Sequence, residues 1–294
     1  MAIATTATLS ALIQVQMGRA LQAALSETLF WPGGPLFSML RSRDLTGDEG
    51  IAATFPIWGS LTAYDTIEGS DIATVDSLTD TSTTVTATEK QVPTYVTNLA
   101  LQALRTPNAL NQRMADEAQA HIAAHAAKFD ADVMALASSL TSGYSATGAN
   151  LTIAGVMGGI KLLAEANAPK PYVGVLSVQQ WYDLTTEASS AMISAAQGGS
   201  MAEEMWQGWS VPRFLGVNWF VVPSIAGAID ASDDWGMILS NRALGCTIVQ
   251  LPGQGGVDVV DLPKARSKMI SSVSTYGVGV VEQAMGVYLR TGTS

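Results

Sequence analysis

Hydrophobic and polar positions divide the chain into five zones. In residues 1–50, Leu9, Leu12, Ile13, Met17, Leu21 and Leu25 recur at helical spacing, with Gln, Arg and Ser on the other face. The pattern stops at Phe30-Trp31-Pro32-Gly33-Gly34-Pro35, where proline and glycine break a helix. This break is apolar. Phe30, Trp31, Leu36, Phe37, Met39 and Leu40 surround it, and a segment of that kind has to be covered by other protein.

Residues 51–92 read as extended. Ile51, Phe55, Ile57 and Trp58 open the zone, and Thr, Ser and Asp then dominate through Thr86. β-Branched residues at this density favour strand over helix. The zone holds Asp65, Glu68, Asp71, Asp76, Asp80 and Glu89 against Lys90, six carboxylates to one cation, a net −5. The pattern predicts a long two-stranded hairpin with almost no core of its own. Such a hairpin is marginal in water and has to lie on another surface, in the same chain or a neighbour.

Residues 106–140 carry the strongest local signal. Thr106 suits an N-cap and Pro107 the first helical position. Leu110, Met114, Ala118, Ile122, Phe129, Val133, Leu136 and Leu140 trace one stripe, and Gly143 stops the element. At 1.5 Å per residue the predicted helix is roughly 50 Å long, a spine for something large. Beyond it the pattern alternates. Thr152 to Ala166 is helical, Tyr172 to Leu176 is a buried strand, and Ser177 caps a further helix. Residues 189–209 are small, Gly-containing and Met-rich, and read as a loop or a loose helix. Val217–Val222, Trp235–Leu239 and Thr247–Val249 read as strands. A final pair of strands is expected at Met269–Val281 and Gln283–Leu289. The expected class is α+β.

Composition narrows the chemistry. The chain has 294 residues, is 48% apolar and only 14% charged, with a formal net charge of −10. That balance excludes gripping duplex nucleic acid through a broad basic face. The single Cys246 excludes an intrachain disulfide framework and a cysteine zinc site. No charge precedes Arg19, so the basic start of a secretory signal is missing from these residues. The longest uncharged run, Val133 to Ile160, is too polar for a membrane helix. An intracellular-type soluble protein is expected.

Motifs add little. His121 and His125 share one helical face at a spacing metals use, but Ile122 stands where a zinc protease carries Glu, and no Cys or third His completes a site. Packed or surface histidines are the plainer reading. Both lie mid-helix and no G-x-S-x-G elbow exists, which argues against a Ser-His-Asp nucleophile. Gly253-Gln254-Gly255-Gly256, Gly155–Gly159 and Gly277-x-Gly279 lack the rest of a phosphate or dinucleotide motif. Turns and close packing account for them. The acidic zone offers oxygen ligands for Ca²⁺ but not in EF-hand order. Cys246 sits in an apolar strand. No catalytic residue, cofactor or metal is expected.

The order of parts resembles a family: the major capsid proteins of tailed bacteriophages, whose shell fold is shared by encapsulin nanocompartments and the herpesvirus capsid floor. Residues 1–50 resemble the N-terminal arm and 51–92 the extended loop. Residues 93–149, entered through Val92-Pro93-Thr94-Tyr95-Val96, resemble the peripheral domain with its spine helix. Residues 150–257, with Leu215-Gly216-Val217-Asn218-Trp219-Phe220-Val221-Val222-Pro223-Ser224, resemble the axial domain. Residues 258–294, with Tyr276-Gly277-Val278-Gly279-Val280-Val281, resemble the peripheral return strands.

The resemblance implies a structural subunit, not an enzyme, that assembles into pentamers and hexamers of an icosahedral shell around double-stranded DNA. Phe30, Trp31, Phe37, Trp58, Tyr64, Asp71 and Asp76 are the expected interface residues. Implied partners are further copies of the chain, a separate scaffolding protein, a portal protein at one vertex, a decoration protein, and DNA contacted non-specifically, with no membrane. The implied location is the virion, after assembly in the host cytoplasm. Residues 51–89 contain no Lys, so the shell is expected to be noncovalent. Two other classes stay open: an encapsulin-like compartment, in which the Leu9–Leu25 helix would line the lumen, and an enzyme of unrecognised type, which requires a pocket of converging titratable groups.

Overall fold

The computed structural model describes residues 32, 34–47, 50–59, 61–65, 76–97, 107–146, 149–194, 215–222, 233–251, 257–262 and 265–292, with backbone alone at 107–111, 146 and 188–194. The elements run β1 (Arg41–Asp44), β2 (Ala52–Trp58), β3 (Asp80–Thr86), β4 (Thr88–Thr97), α1 (Pro107–Ala135) and β5 (Gly143–Ala146). They continue with α2 (Ile153–Glu165), β6 (Tyr172–Ser177), α3 (Val178–Ser194), β7 (Val217–Val222), β8 (Asp233–Leu239) and β9 (Leu244–Gln250). The chain closes with β10 (Val257–Leu262), β11 (Ser267–Val280) and β12 (Gly286–Gly292). The Leu9–Leu25 pattern, the cap residue Thr106 and the Gly253–Gly256 run lie outside the described residues.

Three sheets organise these strands. The first has the order β1-β9-β11-β10, and β4 also pairs with β11. The second has the order β5-β12-β8-β6-β7, and the third is the hairpin β2-β3. The fourteen residues of β11 pair with β4 and β10 along its first part and with β9 along its second. This is an α+β architecture.

Local chemistry places the helices where the sequence predicts them. Thr152 caps α2 by accepting the Gly155 amide at 3.1 Å. Ser177 caps α3 by accepting the Gln180 amide at 3.0 Å, and Gln180 Oε1 accepts the Ser177 amide at 3.4 Å, a reciprocal capping box. The long helix is Pro107–Ala135 followed by a 3-10 turn, Leu136–Ser139. Its 29 residues correspond to about 43 Å of straight helix.

One core joins the first two sheets. Phe129, Val133 and Met134 enter it from the end of α1, Ala137 and Leu140 from the 3-10 turn that follows, Val175, Met237 and Leu239 from the second sheet, and Cys246, Ile248 and Tyr276 from the first. Phe37, in a 3-10 turn at Phe37–Met39, packs against this same core. A second core lies under α2 and α3, around Leu163, Trp181, Leu184, Trp219 and Leu289.

Two expectations change. The last two strands do not pair with each other: β11 belongs to the first sheet, whereas β12 pairs with β8 and β5 in the second. Between them the chain turns at the surface, through a 3-10 turn at Gln283–Met285 with Gln283 and Ala284 exposed, so adjacency in sequence is not adjacency in a sheet. The extended zone also divides at Ala87: β3 pairs with β2, whereas β4 pairs with β11 along ten residues. The hairpin is therefore shorter than the extended pattern.

Candidate assembly surface

The hairpin is anchored at its root, and beyond Ile57 its described residues are exposed. At the root Ala53, Phe55 and Val85 are buried with Leu45 and Val281 in a small core of their own, against which Ile57 and Val249 pack. The sequence predicts almost no core here; the neighbouring strands β9 and β11 supply it. Thr247 Oγ1 donates to the Val85 carbonyl at 3.1 Å, and Thr83 Oγ1 to the Val281 carbonyl at 3.4 Å.

Close packing also explains the Gly277-x-Gly279 pair. A Cβ at Gly277 would stand 2.2 Å from the Thr86 carbonyl oxygen, and one at Gly279 would stand 3.0 Å from Val85 Cγ2. Glycine there lets the hairpin root lie directly on β11. At Gly155 a Cβ would meet the Tyr144 ring at 2.6 Å, which brings α2 down onto β5.

Two arginines on the edge strand β1 hold the hairpin from the side. Arg41 donates Nη2 to the Pro56 carbonyl at 3.1 Å, and Arg43 donates Nη1 to the Thr54 carbonyl at 3.2 Å. Arg41 is itself held by Glu282, a buried carboxylate 3.5 Å from Arg41 Nη1 and 3.0 Å from Arg242 Nη2. A sequence reading that follows hydrophobic pattern passes over β1, because Arg-Ser-Arg-Asp is polar throughout. Its signal is the pair of arginines at strand spacing beside an acidic hairpin.

Past Ile57 the hairpin leaves this support. Trp58 is 54% exposed and Tyr64 48% exposed, with Leu61 and Leu78 exposed beside them. Tyr64 donates its hydroxyl to Asp76 Oδ1 at 2.7 Å, and the Thr62 amide donates to Asp76 Oδ2 at 2.9 Å. These bonds continue the hairpin beyond the Trp58–Asp80 pair that ends the ladder. They hold the Asp76 carboxyl below its usual range, the Tyr64 hydroxyl first and the Thr62 amide second. Trp58 at the end of β2, and Leu61, Tyr64 and Leu78 beyond the ladder, are four large apolar side chains that no described residue buries.

Of the seven expected interface residues, the structure brings Tyr64 and Asp76 together and puts Trp58 on the same hairpin. Phe37 is half-buried on the main core, apart from the hairpin. Phe30, Trp31 and Asp71 lie outside the described residues. Leu61 and Leu78 belong with this surface and were missed, since single apolar residues in a Thr/Asp-rich stretch make no pattern. Ile51, Tyr95 and Val260 are further exposed apolar side chains.

The other candidate chemistry is packed away. Cys246 is buried, and burial pushes its thiol up to about 12. Among the described residues, no group of three His, Cys, Asp or Glu side chains is placed to share a metal ion. No described helix is long and apolar enough to cross a membrane.

No family model matches the sequence, and no curated protein matches it. The fold does have solved relatives. A structure from Mycobacterium phage Che8 matches with a TM-score of 0.60 at 18% identity, over 89% of this chain and 90% of that one. A mature capsid chain of bacteriophage PhiM1 matches with a TM-score of 0.59 at 12% identity, over 90% and 89%. A virus-like particle from Pyrococcus furiosus matches with a TM-score of 0.53 at 12% identity, over 96% and 99%. At these identities the likeness is one of fold, and it spans nearly the whole of each chain. The protein has the shell fold found in phage capsids.

Proposed function

We propose that this chain is the major capsid subunit of a tailed bacteriophage. Residues 150–257 act as the axial domain that gathers copies into pentamers and hexamers. Residues 93–149 and 258–294 contribute the peripheral domain, which takes in β9 and gives β5 and β12 to the second sheet; residues 51–92 are the loop that reaches a neighbour, and residues 1–50 the arm. The observation that carries this reading is the hairpin: anchored at Phe55 and Val85, then projecting Trp58, Leu61, Tyr64 and Leu78 with no described residue covering them. Ordering two strands costs conformational entropy that their own contacts do not offset. A neighbouring subunit supplies the missing burial.

Spreading burial over several modest contacts suits a closed shell, because misplaced subunits can leave before closure. The chain's net charge of −10 suits a wall that retains DNA without gripping it. A separately encoded scaffold, a portal and a decoration protein are the partners such a shell uses. The absence of Lys from residues 51–89 favours a noncovalent wall.

A second reading is a protein compartment without a genome, which the full-length likeness to the Pyrococcus furiosus particle favours. Gradient-purified particles decide between the two. Nuclease-protected double-stranded DNA in particles from infected cells supports the capsid. A protein cargo and no genome in particles of one small size supports the compartment and overturns the capsid reading.

A further inference from the structure

The backbone of β2 has two sides, and β3 uses only one of them. The Gly59 amide donates to the Thr79 carbonyl at 2.9 Å, and the Ala87 amide to the Ile51 carbonyl at 2.7 Å. Both pairs continue the β2–β3 register, in which Ala53 faces Val85 and Phe55 faces Thr83. Backbone groups in an antiparallel ladder alternate in direction. The odd-numbered residues of β2 therefore turn their amides and carbonyls toward β3. Ala52, Thr54, Pro56 and Trp58 turn theirs the other way, where no described strand pairs with β2. β3 has no such freedom, since Thr247 of β9 donates to its Val85 carbonyl and Gly277 of β11 lies against its Thr86 carbonyl.

An open strand edge is a template for a further strand. Proteins blunt such edges with charged side chains, and β2 carries none: it reads Ala-Ala-Thr-Phe-Pro-Ile-Trp. The charges come instead from β1. Arg43 Nη1 donates to the Thr54 carbonyl at 3.2 Å, and Arg41 Nη2 to the Pro56 carbonyl at 3.1 Å. Pro56 has no amide hydrogen to offer. Of the backbone groups that Thr54 and Pro56 turn outward, the Thr54 amide is left.

The spacing is that of a strand. The two carbonyls are two residues apart on β2, about 7 Å at the rise of a strand. An added antiparallel strand would bring its own amides to the same two oxygens. The guanidinium groups already stand there, and a charged donor makes the stronger bond. Both are held in place. β1 pairs with β9 from Arg41 to Asp44, which sets the arginines along the edge. Arg41 lies 3.5 Å from Glu282, with its guanidinium 5.9 Å from the centre of the Phe55 ring.

We propose that Arg41 and Arg43, with Pro56, are edge guards: they keep the open side of β2 from pairing with β2 of a second copy. The second copy's β2 is the strand that fits, because it carries the same edge, and antiparallel pairing about a two-fold axis joins like to like. The guard acts on the free subunit, and the inference does not depend on the shell reading.

The test compares the full chain with Arg41→Met/Arg43→Met, which keeps two unbranched apolar stems and removes the donors. Light scattering against concentration gives the threshold of association, and amide hydrogen exchange at Thr54 gives its site. The double variant is expected to associate at a chain concentration at least tenfold below that of the wild type, with the Thr54 amide protected in the associated form. Adding Thr54→Pro removes that amide hydrogen without restoring either arginine, and is expected to return the wild-type threshold. An unmoved threshold in the double variant overturns the proposal. So does association that leaves Thr54 unprotected or that Thr54→Pro does not reverse, since a hairpin that is merely loosened aggregates either way. If the double variant does not fold, Arg43→Met alone decides by the same readouts, because Arg41 keeps its Glu282 anchor. A lowered threshold that Thr54→Pro reverses supports the guard, and an unmoved or unreversed one overturns it.

Discussion

Glu282 holds Arg41, and through Arg41 it holds the hairpin. The carboxylate takes Arg41 at 3.5 Å and Arg242 at 3.0 Å, and Arg41 in turn donates to the Pro56 carbonyl on β2. Glu282→Gln removes the charge and keeps the shape. Two guanidinium groups then share a weaker acceptor. Both reach solvent, so the cost is expected at about 1–3 kcal/mol rather than that of a fully buried pair. Urea denaturation measures it, and faster amide exchange at Ala53–Ile57 than in β6 would show that the hairpin root feels the loss.

The root also depends on a missing side chain. At Gly277→Ala the new methyl meets the backbone at Thr86, which no rotamer change relieves. The expected loss is about 1–3 kcal/mol from overpacking, read from the urea midpoint. A stability equal to wild type would mean that the root does not lie against β11 as described.

Toward the tip, the Tyr64–Asp76 bond is a tether rather than a source of folding stability. Tyr64→Phe is expected to leave the denaturation midpoint unchanged while exchange speeds up at the Thr62 amide. The Asp76 carboxyl should return toward its ordinary range, because the larger of the two causes holding it down is gone. In the wild type the tether is present at neutral pH and is lost only as pH falls below the usual carboxylate range, the sign expected for a depressed acid.

A substitution at Trp58 tests assembly apart from folding. Trp58 is 54% exposed in the single chain, so Trp58→Ala removes little burial from the fold. Buried against a neighbour, such an aromatic is an anchor whose loss costs about 2 kcal/mol or more per contact. The subunit concentration needed for assembly is expected to rise at least tenfold with the thermal midpoint unchanged. Static light scattering against concentration gives the threshold, and an unmoved threshold removes Trp58 from the interface.

Local chemistry made much of the fold legible. The period of α1, the caps at Thr152 and Ser177 and the apolar run of β6 are written within a few residues of where they act. Sheet membership is not. β12 leaves β11 for the second sheet because the core between them, around Leu140 and Met237, is assembled from distant segments. The polar side of the α1 stripe escaped for another reason. Glu117, His121 and His125 are buried on α1, where a search for apolar spacing skips them, and hydrogen bonds with Thr94 of β4 and Ser272 and Ser274 of β11 make them interior residues. In the candidate surface, Trp58 was legible as an aromatic in a polar segment. The arginine clamp of β1 was not, because Arg-Ser-Arg-Asp is polar throughout and its strand is almost wholly exposed.

The most direct test of the shell reading is the size of what the full chain forms. The chain is expressed alone and with a scaffolding protein, and light scattering and negative-stain microscopy are applied to the soluble fraction. The account predicts pentamers and hexamers that close into uniform shells tens of nanometres across. A stable 30.7 kDa monomer, or a dimer that forms no larger particle under either condition, would contradict it.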